Sequence, residues 1–499
     1  AMIVLKDEEG KVISSFVAEY GASYTLPALS KLGYNFIGWE TETGQVVSGA
    51  FTMPVNSSDA IILSAKWAEA YPEYTYVKTA ADFAEKNADG LYEIKADGKY
   101  YLLSDINLGN NEWKPIEEFT GVILGNGFTI SNFKISGDIG KDYINDIGFV
   151  SENRGVIENV KFSGVNFTFT YNKDDLNLGI VAGVNLGTIK NVTVNGTIFV
   201  TMKGQGITAP ITKYIGNVGG VVGVNKANIE GAVNNASVSV KTNNINIEVY
   251  AGGVAAVNEG SIKESSSSKT VTADITNSAS ARKSYEGGLV ALNKGTIYKS
   301  FATVSGVMDG SYVGGLVAYN EGYIKNSYAK GSLNTASTAG GLVGYNVLSI
   351  SNSYSTVKMT GGNDIGGLVG RNSGSISYSY ADSQVTGGEN VGGLVGYNEK
   401  NGTLTKCFVT GSVTGTSKTT LIFDKKYAGG LIGLSKASES NIKDCYRSSA
   451  QAISCASAET TVGTVINAST ASTTSFFTNT LGFSTSVWSI TAGKLPTLL

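Results

Sequence analysis

The chain has 499 residues, with 63 glycines, six prolines, three cysteines, no histidine and a formal net charge of −3. That length is too great for one ordinary domain and natural for a solenoid. Without histidine, Ser-His-Asp, Cys-His and His-metal chemistries are excluded, and only carboxylates, Lys, Arg and Tyr remain for catalysis. No basic run invites nucleic acid, no apolar stretch approaches the ~20 residues that span a bilayer, and the opening residues are not expected to act as a signal peptide.

Residues 1–68 alternate short apolar strands, at 3–5, 11–18, 33–39 and 61–67, with turns. The run Tyr24-Thr25-Leu26-Pro27, the segment 33–39, Phe51-Thr52-Met53-Pro54 and Leu63-Ser64-Ala65-Lys66-Trp67 resemble the Listeria–Bacteroides repeat, also called the internalin B-repeat. The resemblance implies a small β-grasp-like module of bacterial surface proteins, often used as a spacer. Residues 69–110 read as a linker and N-terminal cap. Thr79 is placed to cap a short amphipathic helix running to Asn87, with Asp82 near its positive end. Such a helix would cover the apolar edge that a first coil exposes.

From residue 111 to 447 one motif recurs, Gly-Gly-Leu-Val-Gly/Ala-x-Asn followed by Ile-x-x-Ser-Tyr. Its clearest copies begin at Gly314, Gly340, Gly366 and Gly392, a 26-residue step. The motif's Asn falls at 153, 185, 225, 258, 293, 320, 346, 372 and 398, and Ser435 replaces it in the last copy. A 26-residue unit accommodates three short strands and their turns. That is one coil of a parallel β-helix, with equal phases stacked about 4.8 Å apart. The units are rich in Gly, Val, Thr, Ser and Tyr and lack a 3.6-residue apolar period, which argues against helical repeats. The fold class expected is all-β: a parallel β-helix of about ten to twelve coils, taken as right-handed because such folds mostly are.

Over residues 148–446 the repeat resembles the GLUG motif family, named for this core. The resemblance implies secreted and surface-exposed bacterial proteins, including repeat regions attached to some immunoglobulin A1 proteases. No His-Glu-x-x-His occurs here, so protease activity is not implied. Residues 448–475, rich in Ser, Thr and Ala, read as a loose connection, and 476–499 as a closing strand pair.

Phase assigns roles. The motif Asn reads as an amide ladder, with ligand or cation binding as the alternative. Ala318, Gly344 and Gly370 share a slot held only by small residues, expected to face inward. Strand parity puts Leu316 inward and Val317 outward, yet the Val317 slot is always apolar; either the Gly pair breaks the parity or something covers that face. Phe301, Tyr328, Tyr354, Tyr380, Phe408 and Tyr446 share one phase and are expected as a core or corner ladder. Cys407 and Cys445 also share a phase, within disulfide reach if stacked. Ser300, Ser327, Ser353 and Ser379 occupy that slot elsewhere, so a plain small-residue position is the other reading. Cys455 has no evident partner. Repeats longer than 26 residues gain their length at one phase, at 164–178, 196–217, 271–286 and 415–428, where Asp174-Asp175 and Asp424-Lys425-Lys426 are charged points.

Immediately before the Asn stand Tyr319, Tyr345, Arg371 and Tyr397, a slot whose tolerance for charge points outward. Three rings and a guanidinium in line suit an extended polymer: sugars stack on rings, and Arg reads hydroxyls or carboxylates. Ordinary surface tyrosines flanking a sheet are the plainer reading. The expected function is a non-catalytic cell-surface or secreted protein that binds an extracellular glycan or a host or bacterial surface protein, as an adhesin does. A purely structural spacer and a polysaccharide-degrading enzyme are the alternatives. An inverting hydrolase needs two carboxylates ~6.5–9.5 Å apart, whereas Asp142, Asp146, Asp174 and Asp175 are scattered through turns. No cofactor, metal, nucleic-acid partner or transmembrane segment is expected, and the chain is expected to be a monomer.

Overall fold

A coil of this repeat cannot bury its own apolar face, so successive coils stack. The computed structural model describes residues 1–55, 60–88, 90–139, 145–173, 175–203, 213–244, 246–269, 271–275, 284–416, 427–455 and 458–499. One coil shows the plan. Strands β1 (Val317–Asn320), β2 (Tyr323–Lys325), β3 (Tyr328–Asn334) and β4 (Thr338–Gly340) follow in order. Each pairs in parallel with its counterpart 26 residues on. Repetition builds four parallel sheets, of 11 strands through β1, 13 through β2, 18 through β3 and 11 through β4. Eleven rungs agree with the coil number expected, and the parallel β-helix stands.

Four strands per coil replace the three expected. The Gly pair divides what reads as one strand into β4 and β1, because backbone crowds it: a Cβ on Gly314 would lie 1.8 Å from the Val317 carbonyl oxygen, and one on Gly315 2.0 Å from that of Gly341. The bend also breaks the parity. Leu316 and Val317 are both fully buried in the central core. Ala318 does not point inward as expected: it packs with Tyr285, Tyr312 and Tyr319, outside that core. Its slot stays small because a Cβ on Gly344 would meet backbone of Ala318 and Val313 at 2.5–3.0 Å.

Three ladders fix the register. The motif asparagines are fully buried, and each side-chain amide donates to the Oδ1 of the next coil's Asn at 2.7–2.8 Å, from Asn153 to Asn398. The Ser slot works differently. The hydroxyls of Ser300, Ser327, Ser353 and Ser379 donate to the carbonyl two residues back at 2.7–2.9 Å. They accept the amide of the preceding coil's residue in the same slot at 3.1–3.2 Å. Cys407 and Cys445 are free, buried thiols in this slot, with Sγ 3.4 and 3.3 Å from the same type of carbonyl. The side chain of Cys455 lies outside the described residues. Left-handed backbone falls on the residue just before the Ser slot, including Glu264, Lys299, Asn326, Asn352, Tyr378, Lys406 and Asp444 at φ 47–56°.

The aromatic ladder is not in the core either. Ala302 and Ala329 take the core side, so Phe301, Tyr328 and Tyr354 point outward, stacked 4.9 Å apart within 5° of parallel. Further along, the C-terminal segment covers it. Phe476, Phe477, Phe483 and Trp488 pack on Tyr380 and Phe408, and the Tyr380 hydroxyl donates to the Pro496 carbonyl at 2.6 Å. Trp488–Ser489 and Thr497–Leu498 do form a strand pair. Residues 448–475 are less loose than they read: Ile453–Cys455 and Thr464–Ile466 extend the β3 sheet.

At the other end, Thr75–Val77 already lays down the first rung of the β2 sheet, inside the segment expected as linker. Helix α1 (Ala80–Phe83) is capped as read, with the Asp82 carboxylate accepting the Thr79 amide at 2.8 Å. It stops before Asn87 because Glu85–Lys86 pairs with Tyr92–Glu93. Phe83 closes the core against Tyr100 and Phe149. The N-terminal module is a five-stranded sheet over its own core of Ile3, Leu5, Trp39, Met53 and Leu63. It meets the solenoid where the Tyr76 hydroxyl donates to the Gly33 carbonyl at 2.6 Å.

Candidate functional site: the outer elbow

The Gly pair turns the outer faces of β4 and β1 toward each other, and aromatic side chains fill the resulting elbow. On the β1 side one register column runs Leu292, Tyr319, Tyr345, Arg371, Tyr397 and Leu434, so all four residues singled out from sequence share a line. On the β4 side a second column holds Tyr250, Tyr285 and Tyr312, stacked 4.5 Å apart at 6° and 5.6 Å apart at 18°. The columns cross: Tyr319 stands at 81° to Tyr285 and 84° to Tyr312, and within its own column at 78° to Tyr345. Edge-to-face rings at 5.0–5.7 Å suit the aromatic quadrupole. Ala291 and Ala318 form the floor. Toward the N-terminus Val184, Val224 and Val257 fill the same elbow.

Arg371 is the polar centre. Its Cζ lies 4.9 Å from the Tyr397 ring centroid and 5.8 Å from that of Tyr345. Its Nε donates to Glu399 Oε1 at 2.6 Å, the Tyr345 hydroxyl donates to the same oxygen at 3.2 Å, and Asp364 lies 4.0 Å from Nη1. The guanidinium charge is therefore already met, while other N–H donors on its fork lie beside two ring faces. Burial pushes the Tyr319 phenol up to about 12 and raises those of Tyr250, Tyr285 and Tyr345. All four stay protonated, as hydrogen-bond donors, at neutral pH. Burial also raises the Asp364 carboxyl, against the bond from Asn390 and the charge of Arg371.

Sequence reading missed the second column. Its signal is a Tyr two residues before the Gly pair, as in Tyr250-Ala-Gly-Gly, Tyr285-Glu-Gly-Gly and Tyr312-Val-Gly-Gly. The extra length falls between the starts of the β3 and β4 counterparts, but most of 164–178 is strand, in Lys161–Tyr171 and Leu176–Leu178, and within 196–217 residues 204–212 lie outside the described residues. Asp174, Asp424, Lys425 and Lys426 lie outside the described residues, as does Asp142. Asp146 is bound to Asn177 at 2.6 Å. Among the described residues no three or more His, Cys, Asp or Glu side chains gather as a metal cluster, and no helix is long and apolar enough to cross a membrane.

The family model described as the GLUG motif matches residues 309–334, 361–386 and 387–414, so the chain carries GLUG repeats through this stretch. A curated relative named halomucin, from Haloquadratum walsbyi, is 36% identical over 117 residues, which are 20% of this chain and 1% of that protein. A solved chain from Bacteroides ovatus, provisionally described as an immunoglobulin A1 protease, aligns over 85% of this chain and 91% of its own at 16% identity. Its TM-score is 0.26, too low to bear on fold or activity.

Proposed function

We propose that this is a non-catalytic surface-displayed or secreted solenoid whose outer elbow holds an extracellular glycan or a segment of a host or bacterial surface protein. One observation carries the reading: aromatic side chains and a guanidinium from neighbouring coils, Tyr250 to Tyr397, gather along one outer elbow. Half-buried rings with protonated hydroxyls and a ring-flanked guanidinium suit an extended, hydroxyl-rich polymer running along the solenoid axis. The GLUG repeats and the partial match to halomucin support display outside the cell. So does the N-terminal segment, which we take as a Listeria–Bacteroides-repeat module. No cofactor is part of this reading.

A purely structural spacer is the second reading. It is favoured by the way Arg371, Glu399 and Tyr345 satisfy one another. A glycan array of host, bacterial and plant polysaccharides separates the two. A coherent family of hits, lost when Tyr319, Tyr345 and Tyr397 are all changed to Ser in a chain that still folds, supports binding at the elbow. Hits that survive the triple substitution defeat the assignment, and a blank array favours the spacer or a protein partner.

A further inference from the structure

The charges around the elbow narrow what it can hold. Arg371 donates through Nε to Glu399 Oε1 at 2.6 Å, and the Tyr345 hydroxyl donates to the same oxygen at 3.2 Å, which leaves Oε2 as an acceptor. Asp364 Oδ2 lies 4.0 Å from Nη1, while Oδ1 accepts the Asn390 amide at 2.7 Å. On the β4 side the Tyr250 hydroxyl donates to Glu248 at 2.8 Å. The charge of Glu321 bears on the Tyr319 phenol, and that of Glu389 on the Asp364 carboxyl.

The slot just past the motif Asn, from which Glu399 reaches Arg371, holds Glu259, Lys294 and Glu321 in earlier coils. Lys294 is engaged by Glu259 at 3.5 Å, and Lys400 is exposed one residue past Glu399. Around the elbow, Glu248, Glu259, Glu321, Asp364, Glu389 and Glu399 thus outnumber the cations Lys294, Arg371 and Lys400 by six to three. The guanidinium, set between two ring faces, is already met by carboxylate.

Hydrogen-bonding chemistry points the same way. An ionised carboxylate only accepts, so Glu399 and Asp364 need donors from whatever lies against them. A sugar hydroxyl both donates and accepts, and can bridge the Nη groups of Arg371 to either carboxylate. The carboxylate of a uronic or sialic acid brings acceptors alone and is repelled by the excess negative charge. A sulfate ester behaves alike.

We propose that the elbow selects glycans without acidic groups, with Arg371 reading hydroxyls and with Glu399 and Asp364 setting the preference. This rests on the reading of the elbow as a glycan site, and adds the chemical class that the site accepts.

The test fills the glycan array with pairs that differ only in charge, probed with the full chain. Polygalacturonate stands beside its methyl ester, and sialylated glycans beside the same glycans stripped of sialic acid. Pairs that bind are then titrated at low and high ionic strength. The uncharged member should bind at least about tenfold more tightly at low salt, and the gap should narrow at high salt as the repulsion is screened. Glu399→Gln combined with Asp364→Asn, in a chain whose circular dichroism is unchanged, should close most of the gap. Equal or tighter binding of the acidic members, lost when Tyr319, Tyr345 and Tyr397 are changed to Ser, overturns the selectivity and leaves the elbow site standing. A gap that the double variant leaves intact overturns the assignment to Glu399 and Asp364. No binding by any member, or binding that survives the three Ser substitutions, defeats the elbow as a glycan site and the selectivity with it.

Discussion

Replacing Asn320 by Ala tests whether the amide ladder holds the coils in register. Asn320 receives the Asn293 amide at 2.7 Å, donates to Asn346 Oδ1 at 2.8 Å and donates to the Gly322 carbonyl at 3.0 Å. Alanine removes these three bonds and two longer ones at 3.4 Å, to the Ser349 carbonyl and from the Gly322 amide, leaves the Asn293 amide and the Asn346 side-chain oxygen facing a hole, and does so where exposure is zero. The Asn293 amide keeps the Gly295 carbonyl of its own turn, whereas the Asn346 oxygen is orphaned; at about 1 kcal/mol net per bond plus 1–3 kcal/mol for that orphaned group, the cost comes to about 4–6 kcal/mol. Asn398 provides the internal control. It receives the Asn372 amide at 2.8 Å and donates to the Gly402 carbonyl at 3.2 Å, but the next coil offers Ser435, whose hydroxyl has no partner. The Asn372 amide keeps its own-turn bond to the Gly374 carbonyl, so Asn398→Ala should cost about 2–4 kcal/mol less than Asn320→Ala. Urea unfolding followed by far-UV circular dichroism measures both, with hydrogen exchange to show whether the loss is local to the coils flanking the substitution. Equal costs at the two positions, or a cost below about 1 kcal/mol at Asn320, would refute the ladder as a stabilising device.

Three further outcomes are expected. Burial pushes the Glu286 carboxyl from 4.5 up to about 8, so the folded chain keeps a proton that the unfolded chain releases. The Glu286 contribution to stability is then greatest below pH 4.5, falls as pH rises to about 8 and levels off above it. The total loss is up to about 5 kcal/mol, and Glu286→Gln should flatten the profile between pH 5 and pH 9 in urea unfolding. Lys299 holds a left-handed turn at φ 48° that Asn326 and Asn352 occupy in neighbouring coils, so Lys299→Asn should raise stability by about 0.5–1 kcal/mol, and a lower urea midpoint would count against the strain argument. Cys407 and Cys445 take the place of serine hydroxyls against backbone carbonyls, so alkylation of the unfolded, unreduced chain should label both; protection relieved only by reductant would show them joined.

Much of this architecture was legible in the sequence, because a solenoid repeats its physics. The 26-residue step, the Asn phase and the absence of a helical period are local facts, and stacking identical units puts like side chains in contact whatever the details of the coil. The amide ladder from Asn153 to Asn398 followed from that logic, and so did the single column of Tyr319, Tyr345, Arg371 and Tyr397.

Facing was not legible, because it depends on where the chain bends. The Gly pair folds one apparent strand into two sheets; Leu316 faces inward as strand parity predicts, but Val317 turns inward beside it and Ala318 lies on the outer floor, both against parity. The aromatic ladder reads as core or corner, and the choice is made only by the C-terminal segment lying over Tyr380 and Phe408 from outside, a contact between residues more than 60 positions apart. Tyr250, Tyr285 and Tyr312 became part of the elbow only because the bend brings two sheets together. Glu286 is an ordinary charged residue in sequence; three-dimensional packing alone buries its carboxylate inside the wall, where the low dielectric makes its charge costly.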